Sequence, residues 1–265
     1  MNIIRIVHNL PRSGGTIINK AISAQKDVVL LSEIHPNGHE IRKAMKSETK
    51  LADPLIQFQQ WYNYFDEDDF EKILRSKPGF LEKIKIIYQK VKERNKILII
   101  RDWSFIDYLS IPYSKPTYKN SLLKILSNDF DFINLYITRN PLETFLSCMR
   151  RIPSFSNNYT FNLFLEAYEY FILDISKNNL IRYENFIKDP KTSLIQISKI
   201  LRIYSDGLFD FKSHKINITG DDNAIVSENI NKKVPESLLN QDQLDKINNN
   251  LKFQNIMKKL NEYSN

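Results

Sequence analysis

One cysteine, Cys148, is all that 265 residues contain. A disulfide framework is therefore excluded, and no Cys/His ligand spacing points to zinc or another metal. Cys148 falls beside an apolar helical stripe with no triad partner near it, so it reads as a buried structural thiol. Long apolar runs are also missing. None approaches the ~20 residues that span a bilayer, so stable membrane insertion is not expected. The first residues lack a charged leader, an extended apolar stretch and a small-residue cleavage site. The expectation is a cytoplasmic protein in reducing surroundings. No repeat or Gly/Ser linker divides the chain, and residues 1–265 read as one domain.

What is present is ample apolar material and a basic surplus. Hydrophobic residues make up 42% of the chain, enough for one core, and the net charge is +7. The lysines scatter over helical patterns such as 80–96 and 245–259, and no nucleic-acid module is visible. A small, highly anionic ligand accounts for the charge, and nucleic acid is not expected as a partner. Apolar runs at 3–8, 28–31, 96–101, 132–138 and 179–183 read as parallel strands separated by helical patterns. This alternation predicts an α/β fold, a three-layer doubly wound parallel sheet with ligands at the strand C-terminal edge.

Between the second and third strands lies an insertion, 36–95, rich in aromatics: Phe58, Trp61, Tyr62, Tyr64, Phe65 and Phe70. Its helices cover an acceptor site or pad the core, and padding is the commoner role for such spacing. Phe161, Phe164, Leu165, Tyr168, Phe171, Ile172 and Ile175 form a continuous stripe that reads as core. Helix 240–260 reads as peripheral.

The segment Leu10-Pro11-Arg12-Ser13-Gly14-Gly15-Thr16 follows the first apolar run, and Ile17, Ile18, Ala21 and Ile22 then recur at helical spacing. A small-residue turn between strand and helix lies at a helix N-terminus, where unpaired N–H groups and the helix dipole favour an anion. Gly14 and Gly15 let the backbone approach that anion, Ser13 and Thr16 add hydroxyls, and Arg12 adds a fixed charge. The G-x-x-x-x-G-K-[S/T] and G-x-G-x-x-G spacings are both absent. Further on, Asn140 reads as an N-cap with Pro141 at the first helical position. Leu142, Phe145, Leu146 and Met149 share one apolar face, with Ser147 on the other. Arg139 stands at the end of the preceding strand.

These two units resemble the sulfotransferase superfamily, which transfers a sulfuryl group from 3′-phosphoadenosine 5′-phosphosulfate (PAPS). Pro11-Arg12-Ser13-Gly14-Gly15-Thr16 resembles that family's 5′-phosphosulfate loop. Arg139-Asn140-Pro141…Ser147 matches its 3′-phosphate segment, with Arg and Ser eight apart. Arg182-Tyr183-Glu184-Asn185-Phe186…Asp189-Pro190 is similar to a third segment, after the fifth strand. The ordered set covers about residues 3–235. It implies a P-loop-like sulfotransferase fold with PAPS as donor, no required metal, and a hydroxyl or amine acceptor on a small molecule or carbohydrate. The implied donor-binding residues are Arg12, Ser13, Gly14, Gly15, Thr16, Arg139, Ser147 and Tyr183. A basic loop in this family folds over the nucleotide, which makes Lys232 and Lys233 candidates. Arg12 takes the family's Lys/Arg position beside the bridging oxygen.

The general base stays open among several residues. Glu33 and His35 alternate to one face at the end of the second strand, which is expected beside the first, and some branches of the family use a glutamate there. Glu33 ranks first, His35 second and His8 third. Arg101-Asp102-Trp103-Ser104 supplies a further zone, in which Asp102 shapes the acceptor pocket or caps the next helix. The rival functions are a P-loop small-molecule kinase, disfavoured by the missing Lys-[Ser/Thr] step, and a non-catalytic nucleotide-binding or regulatory protein. Neither the acceptor nor the oligomeric state is legible.

Overall fold

The computed structural model describes residues 2–208, 218 and 241–263. Strand β1 (Ile3–Asn9) leads through the glycine turn into helix α1 (Gly15–Ser23), then β2 (Val28–Ile34). The insertion follows as α2 (Gly38–Ala44), a 3₁₀ turn (Lys50–Ala52), α3 (Pro54–Tyr62), α4 (Glu67–Arg75) and α5 (Phe80–Glu93). Strand β3 (Ile97–Asp102) precedes two short helices, α6 (Phe105–Tyr108) and α7 (Ser121–Leu126). Next come β4 (Asp131–Thr138), α8 (Pro141–Arg151), α9 (Pro153–Asn158) and α10 (Phe161–Phe171). After β5 (Leu180–Arg182) lie α11 (Tyr183–Lys188) and α12 (Pro190–Leu201). Helices α13 (Gln241–Asn248) and α14 (Leu251–Glu262) end the described chain.

All strand pairs are parallel, in the order β2-β3-β1-β4-β5. Period-two alternation gives each strand two apolar faces. Ile4 and Ile6 of β1 pack with Leu98 and Ile100 against α3, α5 and α7. Val7, Ile99 and Leu135 face the other way, against α1 and α12. Helices on both faces of a parallel sheet are the expected solution for strands that are apolar on both sides.

The order corrects one expectation. β2 pairs with β3, not with β1, so β3 lies between the strand that carries Glu33 and the cradle strand. From β1 the chain crosses through α1 to the far edge, returns at β3, then passes through α7 to β4 on the opposite side of β1. Helices α1 and α7 lie on opposite faces, so the crevice of a doubly wound sheet opens at the C-terminal end of β1. The glycine turn sits there.

The insertion's aromatics pack inward, with Phe58 and Phe65 buried in the cluster over β2 and β3. The insertion also closes the edge of β2. Tyr62 Oη accepts from Leu30 N and donates to Leu30 O, each at 2.8 Å. Gln57 does the same for Ser32, at 2.7 and 2.9 Å. An edge that would otherwise offer a pairing template is thus satisfied by side chains. Burial pushes the Tyr62 phenol up to about 12.

Segment 240–260 differs from its expectation as one peripheral helix. It breaks at Asn249-Asn250, and the Asn250 side chain caps α14 by accepting from Phe253 N at 3.1 Å. Phe253, Ile256 and Leu260 are buried in the same cluster as α10. Two helices stand there, and the second is part of the core. Among the described residues no helix is long and apolar enough to cross a membrane.

Candidate active site

The glycine turn is built by two packing demands. A Cβ on Gly14 would lie 2.0 Å from the Tyr183 ring, and Gly14 has φ 85°. A Cβ on Gly15 would lie 2.4 Å from the Asn9 amide. Side chains at either place are therefore excluded. Ser13 is committed within the turn: its N–H and its Oγ both donate to Leu10 O, at 3.4 and 2.6 Å. Arg12 has φ 63°, a costly backbone for a residue other than glycine. Thr16 is half-buried in the first turn of α1. That helix has no side-chain cap and no acidic residue in its first turn, so its own residues leave the N-terminal dipole uncompensated.

The second unit docks directly on this turn. Arg12 Nε donates to Ser147 Oγ at 3.2 Å, and Arg139 Nη1 donates to the Arg12 carbonyl at 3.4 Å. Arg139 Nε and Nη2 also donate to Glu143 Oε2, at 3.1 and 2.7 Å. Tyr168 Oη fixes the Arg139 carbonyl at 2.7 Å. Asn140 caps α8 as expected, accepting from Leu142 N and Glu143 N. The apolar stripe of α8 packs against the core cluster, and a second side of the helix is buried still more deeply. Thr144, Ser147 and Cys148 are buried, whereas Leu142, Phe145 and Met149 are only partly so. The helix turns its small residues to the turn because the turn's backbone must approach: Cys148 Sγ donates to Pro11 O at 3.6 Å.

Burial pushes the Cys148 thiol up to about 12, against the opposing pull of Arg12 and Arg139. A thiolate is the reactive form. Iodoacetamide at pH 8 is expected to leave Cys148 unmodified in the folded protein and to alkylate it after denaturation; rapid native labelling, read by mass spectrometry, would contradict this placement.

The third segment completes the cluster. The Tyr183 ring packs on Gly14 and under Arg139, whose Cζ is 4.9 Å from the ring centroid. Glu184 Oε1 accepts from Asn140 N at 2.6 Å, and Asp189 caps α12 through Thr192 N. The three segments, far apart in sequence, therefore form one contiguous set. Lys232 and Lys233 lie outside the described residues.

Beside the turn, a small cleft is lined by Asn9, Pro11, Glu33, Arg101, Asp102, Trp103 and Phe105. Glu33 reaches it from a bulge in β2, where the register shifts between Ser32 and Ile34 and Glu33 adopts φ 57°. Extra length at a strand end re-aims a side chain, and this is how a residue of the edge strand comes to line the cleft beside the turn. Arg42 Nη2 donates to Glu33 Oε2 at 2.8 Å, and Arg101 Nη2 stands 3.7 Å from Glu33 Oε1. Arg101 Nε also donates to Asn9 Oδ1 at 3.1 Å. Burial lowers the pKa of Arg101, with the Glu33 charge opposing.

His35 does not line this cleft. It is buried, with Nδ1 accepting from Asn37 N at 3.0 Å and Nε2 3.3 Å from Asp107 Oδ2. Asp102 does not cap α6. Its Oδ2 accepts from Ser104 Oγ at 2.8 Å and from Asn120 Nδ2 at 2.9 Å, and it lies 3.0 Å from His8 Nδ1. His8, the third candidate base, is itself fully buried. Asn9, Arg42 and Asn120 were not anticipated. Asn9 sits next to the turn with nothing in the sequence to mark it, and Asn120 lies in a loop.

No protein-family model matches the sequence, and no curated protein matches it significantly. Among solved structures, the sulfotransferase domain from the curacin biosynthetic pathway is similar over 98% of both chains, with TM-score 0.62 at 14% identity. A sulfotransferase from Alicyclobacillus acidocaldarius is more distant, with TM-score 0.41 at 12% identity over 80% of this chain and 85% of that one. Mouse sulfotransferase SULT7A1, complexed with PAP, gives TM-score 0.43 at 17% identity over 93% and 82%. The parallel five-stranded sheet and the first of these likenesses give this chain the sulfotransferase fold.

Proposed function

We propose that this protein is a sulfotransferase that moves a sulfuryl group from PAPS to a hydroxyl or amine of an acceptor. The observation that carries the reading is the direct contact of the segments that resemble the family's two phosphate-binding motifs, Arg12 on Ser147 and Arg139 on the Arg12 carbonyl. Two guanidinium groups, a hydroxyl and an uncapped helix N-terminus fit a nucleotide with phosphates at both the 5′ and 3′ positions. Tyr183 supplies a ring beside them.

The donor brings an activated sulfuryl group on a phosphate leaving group. Arg12 and the turn's N–H groups stabilise negative charge on that leaving group, and Arg12 does so without giving up a proton. Arg139 and Ser147 orient the other end of the nucleotide. Glu33, in the cleft next to the turn, takes the proton from the acceptor. The task of the fold is to bring these groups within reach of one atom.

Adenosine 3′,5′-bisphosphate is expected to bind without added metal. At a hundredfold excess over its Kd it should add about 2.7 kcal/mol of stability, roughly 5–10 °C in Tm. ATP with Mg²⁺ should do much less, because it offers Arg139 and Ser147 no 3′-phosphate. Thermal shift and calorimetry read this directly, and the reverse preference would favour a kinase.

A further inference from the structure

Asp102 is buried at the C-terminal end of β3, and its two oxygens are used unequally. Oδ2 faces three groups: His8 Nδ1 at 3.0 Å, Ser104 Oγ at 2.8 Å and Asn120 Nδ2 at 2.9 Å. Oδ1 is buried and has no hydrogen-bond partner among the described residues. A carboxylate oxygen in that state is rare in folded proteins and keeps its capacity to accept a hydrogen bond. Asp102 is one of the residues lining the cleft that Glu33 also lines, with its side chain fully buried beneath it.

The rest of the cleft restricts what it can hold. Of the two carboxylates that line it, Glu33 pairs with Arg101 of the lining and with Arg42 behind it, while Asp102 faces His8 at 3.0 Å. Each charged side chain of the lining already has a partner within the protein, which favours a neutral occupant. Trp103 and Phe105 stack on each other with centroids 6.0 Å apart, and the Arg42 guanidinium lies over the Trp103 ring at 4.6 Å. Polar Asn9, Glu33, Arg101 and Asp102 thus stand beside apolar Pro11, Trp103 and Phe105, a mixed lining that suits an occupant carrying both hydroxyls and C–H groups.

We propose that the acceptor is a neutral polyol with a second hydroxyl adjacent to the reacting one, and that this second hydroxyl donates to Asp102 Oδ1. This rests on the sulfotransferase reading only for which hydroxyl reacts; the two-point recognition stands apart from it. Asp102 is then a specificity-determining residue held by His8, Ser104 and Asn120. His8 also contacts Asn134 Oδ1 at 3.2 Å, which ties this anchor to β4.

The test compares trans-cyclohexane-1,2-diol with cyclohexanol. They share a ring and differ by one hydroxyl. Each is titrated into ¹⁵N-labelled protein while the indole N–H signal of Trp103 is followed, with Trp61→Phe used to assign it. A hydrogen bond to a charged acceptor corresponds to about 10–100-fold in affinity, so the diol should bind at least about tenfold more tightly. Asp102→Asn is informative because the amide oxygen can take the place of Oδ2 and keep all three partners. Its NH₂ then stands where Oδ1 was, turning an acceptor into a donor, and the preference for the diol should vanish. Equal affinities in the unmutated protein would overturn the proposal, as would a Trp103 signal that neither alcohol moves. So would an Asp102→Asn protein that keeps the preference; should that variant not fold, the comparison in the unmutated protein still decides. Running the titrations with and without adenosine 3′,5′-bisphosphate, alongside calorimetry of that nucleotide, separates failure of the acceptor inference from failure of the donor reading.

Discussion

Arg12→Ala is expected to lower turnover by about 10²–10³, the usual loss when one aligned donor to developing charge is removed. The loss should fall on kcat more than on nucleotide affinity, since Arg139, Ser147 and the turn's backbone still hold the ligand. The fold should survive. Arg12 sits at φ 63°, and alanine inherits the same backbone cost, so no strain is relieved or added. Arg12→Gly provides the control, because it relaxes that backbone while also removing the guanidinium. If the side chain is what matters, both variants are impaired and only glycine gains stability. Arg12→Lys should recover part of the rate, as lysine returns the charge but not the fork that reaches Ser147. An Arg12→Ala protein with unimpaired kcat would mean that charge does not develop beside this turn.

What the sequence made legible follows from what is local in it. Apolar runs marked all five strands to within a few residues, and Asn140-Pro141 marked the start of α8, because these signals lie within a dozen residues. Strand order is not local. Nothing in residues 28–34 says whether they pair with β1 or with β3, and the nearer choice was the mistaken one. Glu33 reaches the cleft because of a bulge and a left-handed backbone, which a period-two reading cannot anticipate. The same reading put Glu33 and His35 on one face; the structure turns Glu33 to the cleft and His35 to Asp107.

The buried polar network was hidden for a further reason. His8, Asp102, Asn120 and Asn134 come from four separate segments, and each alone looks like an ordinary strand or loop residue. Register brings them together. His8 lies opposite Tyr136, and Val7 lies opposite Arg101, so the next position on β3 meets the His8 face. Helix α8 packs on two sides: its apolar stripe of Leu142, Phe145 and Met149 lies against the core, as its spacing indicates, and a second, small-residue side meets the turn. That second side carries Thr144, Ser147 and Cys148, small residues suited to the close approach of the turn, which hydrophobicity does not mark.

Glu33→Gln is expected to lower kcat by about 10²–10⁴, the range for removal of a general base. Glutamine matches the shape, and its amide oxygen can still accept from Arg42, so the acceptor cleft should stay open and nucleotide affinity should hold. Some stability should be lost as well. Burial lowers the pKa of Arg101 and the Glu33 charge opposes that, so the neutral variant leaves a buried guanidinium less compensated. A fall in Tm alone therefore does not identify a base, because a purely structural counter-ion would give the same fall. The deciding quantity is kcat per folded molecule at a temperature well below the variant's Tm. A structural Glu33 keeps that number; a base loses it. Asp102→Asn is the comparator, since Asp102 lines the same cleft but keeps its network as an amide. Were Glu33→Gln to turn over at near the unmutated rate while Asp102→Asn did not, with neutral alcohols that bind both variants, the proton would pass to Asp102 Oδ1. Glu33 would then serve to hold Arg42 and Arg101 at the mouth of the cleft.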